Sequence, residues 1–255
     1  MRLTLLGTGD TRQVPVYGCT CRICDLSRAD PQYRRRPCSA FIRCGDQRWL
    51  IDSGLTDLCE RFPPRSFDGI LQTHYHADHA QGLLSLRWGK GLKIPVFGPQ
   101  DPDGLADLYK HPGILDFNRP FDAFERRMLG SLAVTALPLN HSKPTFGFLF
   151  EDINASDPPR AIAYLTDTIG LPAQTLAFLQ TTRLDTLVLD CSMPPQTQPP
   201  RNHNDLTLAL ACIDELHPRQ TVLTHIGHAL DVWLLENPTA LPEGVRPARD
   251  DMELT

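Results

Sequence analysis

A tight group of metal-binding side chains constrains this chain more than any other feature. Residues 71–83 read LQTHYHADHAQGL and place His74, His76, Asp78 and His79 within six positions, although the 255-residue chain has only nine histidines. Imidazoles titrate near neutrality, so protonating crowded neighbours together costs Coulomb energy. A bound divalent cation removes this cost because it takes up the lone pairs of neutral imidazoles. The segment therefore predicts a metal site.

Composition and charge exclude several classes of protein. Hydrophobic residues make up 41% of the chain and charged residues 22%, and the formal net charge is −5. These values are ordinary for a globular protein with a buried core. The nearest candidate for a basic patch, Arg34 to Arg36, is interpreted as a solvated loop, so we expect no extended nucleic-acid-binding surface. No segment approaches the ~18 consecutive apolar residues of a membrane span. The N-terminus lacks the features of a signal peptide, so the expected location is the cytoplasm, with no membrane partner.

Strand-like runs alternate with helical stretches along the chain. Runs rich in Val, Ile, Phe and Tyr, bounded by Gly, Pro, Asp or Asn, predict strands at 2–7, 40–45, 48–54, 69–74, 94–99, 132–139, 145–152, 161–168, 186–190 and 221–225. Helices are expected near 79–88, 102–110, 172–181, 205–216 and 229–236, the clearest being 205–216 with Asn204 or Asp205 as its N-cap. This order predicts two sheets packed together and covered by helices.

No internal repeat and no shift in composition divides the chain. Residues 1–255 are therefore expected to form a single domain. The segment SMPPQTQPPRN (192–202) contains four prolines and is expected to be a stiff surface loop. Residues 242–255 are expected to form a polar, poorly ordered tail.

Further candidate ligands follow other apolar strands. His141 comes after LAVTALPLN, Asp167 lies in AIAYLTDT, and His225 ends TVLTH. Strand ends at one edge of a sheet converge on a common rim, so these side chains should meet the histidine cluster in space. Imidazoles and carboxylates with an open position for water are typical of a hydrolytic metal site.

The cysteines indicate a second metal site. Cys19, Cys21 and Cys24 lie in YGCTCRICD, and three thiols this close in a reducing compartment usually share a zinc ion. A fourth ligand must come from elsewhere in the chain. The remaining cysteines are scattered and expected to be reduced: Cys38, Cys44, Cys59, Cys191 and Cys212.

The motif H-x-H-x-D-H after a strand, the later His, Asp and His, and the strand WLIDSG together resemble the metallo-β-lactamase superfamily. The resemblance covers residues 1 to about 235 and implies an α/β fold, the four-layer αβ/βα sandwich with two packed mixed β-sheets flanked by helices. It implies two divalent metal ions at the active site, Mn²⁺ or Zn²⁺. One ion would be held by His74, His76 and His141 and the other by Asp78, His79 and His225, with Asp167 as the bridge and Asp52 orienting the metal-binding loop.

Within the superfamily, the segments LLGTGDTRQVPVYGCTCRICD, THIGHALDVW and NHND resemble the PhnP family of phosphodiesterases. This resemblance implies a structural Zn²⁺ on Cys19, Cys21, Cys24 and His228, a homodimer, and catalytic roles for Asp78 and His203. It also implies a small phosphorylated sugar as the substrate. The family reaction converts 5-phospho-α-D-ribosyl 1,2-cyclic phosphate to ribose 1,5-bisphosphate in phosphonate catabolism, within the carbon–phosphorus lyase pathway. His203 would act there as general acid or as a phosphate contact.

Three other functions stay open at this point. The tRNA 3′-processing nucleases share the dinuclear ligands but need an extended basic arm, and this acidic sequence has no such insertion. Lactone or thioester hydrolases of the superfamily would have no special use for His203. Non-catalytic relatives that act in pyrroloquinoline quinone biosynthesis resemble this chain in their N-terminal cysteine cluster, but their dinuclear metal motifs are often incomplete. His111 and His217 match no motif and are expected at the surface.

Overall fold

Two packed β-sheets form the centre of the protein in the computed structural model, which describes residues 1–155, 160–198 and 200–255. Their strands are β1 (Arg2–Gly7), β2 (Ser39–Cys44), β3 (Gln47–Ile51), β4 (Gly69–Leu71), β5 (Ile94–Phe97), β6 (Leu115–Asp116), β7 (Arg126–Leu129), β8 (Leu132–Pro138), β9 (Phe146–Asp152), β10 (Arg160–Leu165), β11 (Thr186–Asp190), β12 (Thr221–Thr224), β13 (Val245–Pro247) and β14 (Met252–Leu254).

Each sheet is mixed and has seven strands among the described residues. The first has the order β14-β1-β2-β3-β4-β5-β6, and the second has the order β13-β12-β11-β10-β9-β8-β7. In the first sheet the pairs from β14 to β3 are antiparallel and those from β3 to β6 are parallel. The second sheet is antiparallel from β7 to β10 and parallel from β10 to β13.

Helices cover the outer face of each sheet. They are α1 (Arg22–Ala29), α2 (Leu58–Arg61), α3 (Ala77–Ala80), α4 (Leu83–Leu86), α5 (Ala106–Lys110), α6 (Ala173–Gln180), α7 (Leu206–Leu216) and α8 (His228–Glu236). One apolar cluster lies between the sheets, a second joins the first sheet to α2, α4 and α5, and a third joins the second sheet to α6, α7 and α8. The predicted four-layer sandwich is therefore confirmed.

The alternation of side chains in the central strands explains this layering. Every residue of β11 is buried because both faces of the strand are covered. Val188 belongs to the cluster between the sheets, whereas Leu187 and Leu189 pack with the helices. Successive side chains of a strand point to opposite faces, so one apolar run serves two layers.

Helix boundaries agree with the sequence at α6, α7 and α8 and differ at the two predicted helices that precede them. The Asp205 side chain accepts a hydrogen bond from the Leu208 amide (2.9 Å) and caps α7, which ends at the left-handed His217. The helix expected at 79–88 is instead two short helices, because the Gly82 amide donates to the Ser53 carbonyl and interrupts the run. The helix expected at 102–110 starts only at Ala106.

The prediction of a poorly ordered tail at 242–255 is wrong. β13 pairs in parallel with β12, and β14 pairs antiparallel with β1, so the last residues complete both sheets. Ala248 and Leu254 are buried between the sheets. Strands of three residues contain too few apolar positions to produce a visible alternation, which is why the segment reads as polar.

The interpretation of Arg34 to Arg36 as a solvated loop is also wrong for its central residue. Arg35 is buried, and its guanidinium donates two hydrogen bonds of 2.7 Å to the carboxylate of Asp231 in α8. It also donates to the Thr8 hydroxyl and the Ala248 carbonyl. These contacts join four segments distant in sequence, and a local charge run cannot indicate the buried bidentate pair among them.

Surface predictions have mixed outcomes. His111 and His217 are exposed, as expected. In the proline-rich segment, residues 195–198 are exposed, whereas Pro199 lies outside the described residues. Within the described part of the chain, no helix is both long enough and apolar enough to cross a membrane.

Candidate dinuclear metal centre

The candidate ligands meet at one rim of the sandwich. His74 follows β4 in the first sheet, while His141, Asp167 and His225 follow β8, β10 and β12 in the second. Asp78 and His79 lie in α3, directly after the β4 connection. The two sheets thus bring to one point side chains that are far apart in sequence.

The first group consists of His74, His76, His141 and Asp167. Nδ1 of His76 is 3.0 Å from Nε2 of His74 and 3.1 Å from Nε2 of His141. Both Nε2 atoms are 3.7 Å from Oδ2 of Asp167. Three ring nitrogens that face one another at these distances fit a shared cation, since protons cannot occupy all of them without repulsion.

The second group consists of Asp78, His79 and His225, again next to Asp167. Nε2 of His79 is 3.6 Å from Oδ2 of Asp78 and 3.2 Å from Oδ1 of Asp167. Nε2 of His225 is 3.8 Å from Oδ2 of Asp78 and 3.5 Å from Oδ2 of Asp167. Among the described residues, Asp167 is therefore the carboxylate that faces both groups.

Hydrogen bonds at the other ring nitrogen fix the tautomers of two candidate ligands. Nδ1–H of His141 donates to the carbonyl oxygen of Asn202 at 3.0 Å, and a carbonyl can only accept. Nδ1–H of His79 donates to Oδ2 of Asp52 at 2.8 Å. In their neutral form both rings therefore carry the lone pair on Nε2, towards the site, which is the state that a metal ligand requires.

Hydroxyl groups hold the rings of His74 and His225 in the same way. Thr73 donates its hydroxyl proton to Asp52 and accepts from Nδ1 of His74 at 3.0 Å. Ser192 donates to Asp190 and lies 2.9 Å from Nδ1 of His225. Nε2 is thus the free nitrogen in these two rings as well.

Two buried ring nitrogens support a metal at this rim. Nε2 of His79 and Nε2 of His225 are fully buried, and neither has a hydrogen-bond partner among the described residues. A buried unpaired polar atom costs about 1–3 kcal/mol, so such atoms are rare unless a ligand satisfies them. The donor set of neutral imidazoles and carboxylates fits divalent ions such as Zn²⁺ or Mn²⁺.

Charges within the cluster shift the pKa values of its members in opposite directions. Burial opposes the charged form of His225, but the carboxylates of Asp167 and Asp78 outweigh it and raise its pKa to about 10. Burial likewise opposes the imidazolium of His79, yet Asp167 and Asp52 hold its pKa well above the ordinary value. In contrast, burial lowers the pKa of His74 far below its ordinary value. Without a cation, protons thus gather on the second group.

The backbone is strained at three positions of the site. Asp52, Asp167 and His225 have φ values of 62°, 58° and 54°, in the left-handed region that normally favours glycine. Such residues cost of order 1–3 kcal/mol each and persist where the surrounding structure holds them. At Asp52 the holding contacts are hydrogen bonds from the Thr73 amide (2.8 Å) and from Gln72 Nε2 (3.0 Å).

His203 also lies at the rim. Its ring stacks on His225 with centroids 4.6 Å apart and planes 11° apart, and its Nδ1 is 4.0 Å from Oδ2 of Asp167. Nδ1 is 3.0 Å from Oδ2 of Asp190, a fully buried carboxylate. The side chain is 24% exposed, so a ligand at the rim can reach it.

Asp190 is the functional residue that sequence reasoning missed. It ends β11, and besides His203 it accepts hydrogen bonds from the Thr168 amide (3.0 Å) and the Ser192 hydroxyl (2.9 Å). Asp190 thus holds the ring of His203 directly and holds the ring of His225 through Ser192. The available signal was the aspartate at the end of the apolar run TLVLD, a position similar to that of Asp52, whose role the resemblance to the superfamily implied.

The cysteine cluster is closed by the histidine that the sequence suggested. One donor atom from each of Cys19, Cys21, Cys24 and His228 lies within 4.8 Å of the others. Nε2 of His228 is 3.0 Å from Sγ of Cys21 and 3.7 Å from Sγ of Cys19. His228 begins α8, three residues after His225, so this cluster and the rim share one short segment. Four N and S donors suit tetrahedral zinc.

Comparison with known proteins gives the family. The model of the β-lactamase superfamily domain matches residues 48–226. The chain belongs to this superfamily. A solved structure described as a new diphosphatase from the PhnP family superposes with a TM-score of 0.80 and 27% identity, covering 100% of this chain and 97% of that chain. The predicted superfamily and the likeness to PhnP are therefore confirmed.

Two other relatives extend the comparison. Zn²⁺-bound PqqB from Methylobacterium extorquens has a TM-score of 0.76 at 18% identity over 100% of both chains, which shows the shared fold. An octanoyltransferase of Porphyromonas gingivalis is 26% identical over 274 residues, covering 99% of this chain and 51% of that protein. The chain spans about half the length of the curated relatives it matches. The chain therefore has the metal-binding fold of the metallo-β-lactamase superfamily of hydrolases.

Proposed function

We propose that this chain is a metal-dependent phosphodiesterase that opens the cyclic diester of a small phosphorylated sugar. The proposed substrate is 5-phospho-α-D-ribosyl 1,2-cyclic phosphate, the product is ribose 1,5-bisphosphate, and the setting is phosphonate catabolism. The observation that carries the proposal is the pair of His203 and Asp190, which lies beside the carboxylate shared by both ligand groups. The likeness to a PhnP-family structure supports the choice of phosphorus chemistry.

Two divalent ions, Mn²⁺ or Zn²⁺, would be held by the residues of the two groups. His74, His76 and His141 would hold one, Asp78, His79 and His225 the other, and Asp167 would bridge them. When bound, such a pair lowers the pKa of a water molecule and neutralises charge on phosphoryl oxygens. The zinc knot of Cys19, Cys21, Cys24 and His228 would have a structural role only.

His203 would serve as the general acid. A sugar alkoxide is a leaving group of high pKa, so it needs a proton as the ester bond breaks. Nδ1–H of His203 donates to Asp190, which leaves Nε2 as the nitrogen that can transfer this proton. Asp190 would fix the ring orientation and stabilise the imidazolium, as carboxylates do in other histidine pairs.

Asp78 would take the proton of the attacking water. Its side chain is 14% exposed, whereas that of Asp167 is 2% exposed, so of these two carboxylates Asp78 is the one that water reaches. Burial opposes the charged form of Asp78, but the nearby imidazoles of His225 and His79 outweigh it and hold the pKa of this carboxyl below its ordinary value. An ionised carboxylate that water can reach is suited to accept a proton.

The experiment compares two substrates in one variant. His203→Ala should slow opening of the cyclic ribose phosphate by ~10²-fold or more, because the alkoxide departs unprotonated. Bis-p-nitrophenyl phosphate has a leaving group of much lower pKa, so its hydrolysis should slow far less. His111→Ala, at an exposed histidine distant in sequence from the site, is the control. Equal losses on both substrates would replace the acid role with phosphate binding, and no loss on either would remove His203 from the mechanism.

Diphosphate hydrolysis is the second candidate, because the PhnP-family neighbour at 27% identity is described as a diphosphatase. Its leaving group is a phosphate, whose second pKa is about 6, so it departs without a general acid. Wild-type turnover of an organic diphosphate well above that of the cyclic phosphate, unchanged in His203→Ala, would favour this reaction. Turnover of the cyclic phosphate alone would favour the first.

A further inference from the structure

A cavity separate from the metal cluster opens on the outer side of the first sheet. Its volume is about 570 Å³, and it lies between the segment 62–68, which follows α2, and the segment 86–93, which begins at the last residue of α4. It adjoins the positions where β4 and β5 begin, whereas the candidate ligand His74 follows the end of β4. The cavity is therefore at the opposite end of these strands from the candidate catalytic centre.

The floor of the cavity is apolar. Phe62, Phe67, Leu86 and Leu92 are half-buried and pack on the cluster between the first sheet and its helices. Trp88 lies at the edge of the cavity, and 64% of its surface is exposed. An exposed indole beside a concave apolar floor is typical of a binding site, because monomeric proteins rarely leave a contiguous apolar surface in contact with water unless it binds something.

The edge of the cavity carries an excess of positive charge. Arg48, Arg65, Lys90 and Lys93 line the cavity, while Asp68 is the acidic residue among its lining. Arg48 pairs with Asp68 at 3.3 Å, and Lys93 donates to the Gly113 carbonyl. Across the part of the chain that the structure describes, the side chains of Arg65 and Lys90 have neither an ion pair nor a hydrogen bond, although the chain carries a net charge of −5. Two uncommitted cations thus flank an apolar floor.

We propose that this cavity binds an amphipathic anion, an alkyl or aryl body that ends in one carboxylate or phosphate group. The apolar floor would take the body, and Arg65 and Lys90 would contact the anionic head. Cavities of about 300–1,000 Å³ are the size that small organic ligands occupy, and this one falls within that range. Pro63 and Pro64 restrict the backbone of one wall of the cavity. The proposal is independent of the reaction at the metal centre.

The test titrates the 255-residue, metal-loaded protein by calorimetry with three ligands, each kept below its micelle concentration or solubility limit. Dodecanoate and dodecyl phosphate carry the two kinds of head group, and dodecanol is the uncharged control. We expect saturable binding of one equivalent of an anionic ligand, at least about tenfold tighter than dodecanol. The stronger of the two anions identifies the head group. Equal affinity for dodecanol, or no saturable binding, would overturn the proposal.

Two variants locate the binding. Arg65→Glu with Lys90→Glu should weaken anion binding by about tenfold or more, because both head-group contacts become repulsive. The matched control is Arg183→Glu with Arg219→Glu, which changes the net charge equally at exposed positions outside the cavity. A loss of the same size in this control would reduce the effect to net charge and overturn the proposal. Ser85→Trp, at an exposed lining position, should block binding by filling the cavity, and unchanged binding in that variant would refute the assigned location.

Discussion

The replacement of Asp190 by asparagine separates its two hydrogen-bonded arms. Oδ2 of Asp190 accepts from Nδ1 of His203 and from the Thr168 amide, both at 3.0 Å, whereas Oδ1 accepts from the Ser192 hydroxyl at 2.9 Å. An asparagine can keep its oxygen towards Ser192 and so preserve the support of His225. Its amide group would then face three donors on the other side, the third being the Asn204 amide at 3.4 Å, and could accept from none of them.

The magnitude follows from these contacts. Loss of the acceptor frees the His203 ring to adopt the other tautomer and removes the charge that stabilises the imidazolium. Comparable aspartate-to-asparagine changes beside a catalytic histidine cost up to ~10⁴ in rate, and general acid catalysis as a whole contributes ~10²–10⁴. We therefore expect opening of the cyclic ribose phosphate to slow by ~10²–10⁴ in Asp190→Asn. The buried amides of Thr168 and Asn204 also lose their acceptor, which should lower the free energy of unfolding by about 1–3 kcal/mol for each.

The assay combines turnover of two substrates with metal analysis. Bis-p-nitrophenyl phosphate should lose less than about tenfold, because its leaving group hardly needs a proton. Bound metal should stay at the wild-type level, since Ser192 still holds His225. The complementary variant Ser192→Ala removes the other arm and should lower metal content instead. Equal rate losses on both substrates in Asp190→Asn, with unchanged metal, would refute the assignment of Asp190 to the proton-donating arm.

Three further predictions concern the metals. Asp167→Ala removes the carboxylate that faces both groups, so metal bound at the rim should fall, and hydrolysis of the nitrophenyl diester should be abolished while circular dichroism shows a folded chain. Cys21→Ser should remove about one equivalent of zinc in elemental analysis and lower the melting temperature, because zinc binding contributes to folding. In metal-free protein the pKa of His225 is about 10 against an ordinary 6.5, so metal binding at neutral pH must displace its proton. Calorimetry in buffers of different ionisation enthalpy should detect at least one proton released, and affinity should rise about tenfold per pH unit for each such proton below that pKa.

The sequence predicts the architecture and the ligand set because both depend on local patterns. Apolar runs that end in His or Asp mark strand ends, and strand ends of a mixed sandwich share a rim, so His141 and His225 could be assigned before their distances were known. Contacts that join distant segments have no such pattern. In the sequence, Arg35 belongs to a short basic run and Asp231 is an ordinary acidic residue of a predicted helix, so no local pattern indicates that the two side chains pair. The strand Met252–Leu254 is too short to alternate visibly, and only its pairing with β1 makes it a strand.

Asp190 could have been found by a rule that the two sheets share. Asp52 follows β3, beside the strand that leads to His74, and accepts from the Thr73 amide and from Nδ1 of His79. Asp190 ends β11, beside the strand that leads to Asp167, and accepts from the Thr168 amide and from Nδ1 of His203. In both sheets a buried carboxylate at a strand end thus receives the amide of the neighbouring strand's connection and orients an imidazole at the rim. We therefore infer a rule for sequences of this kind. When an apolar strand ends in aspartate and lies next to a ligand-bearing strand, that aspartate is a candidate partner for a catalytic or metal-binding histidine, even where no known motif includes it.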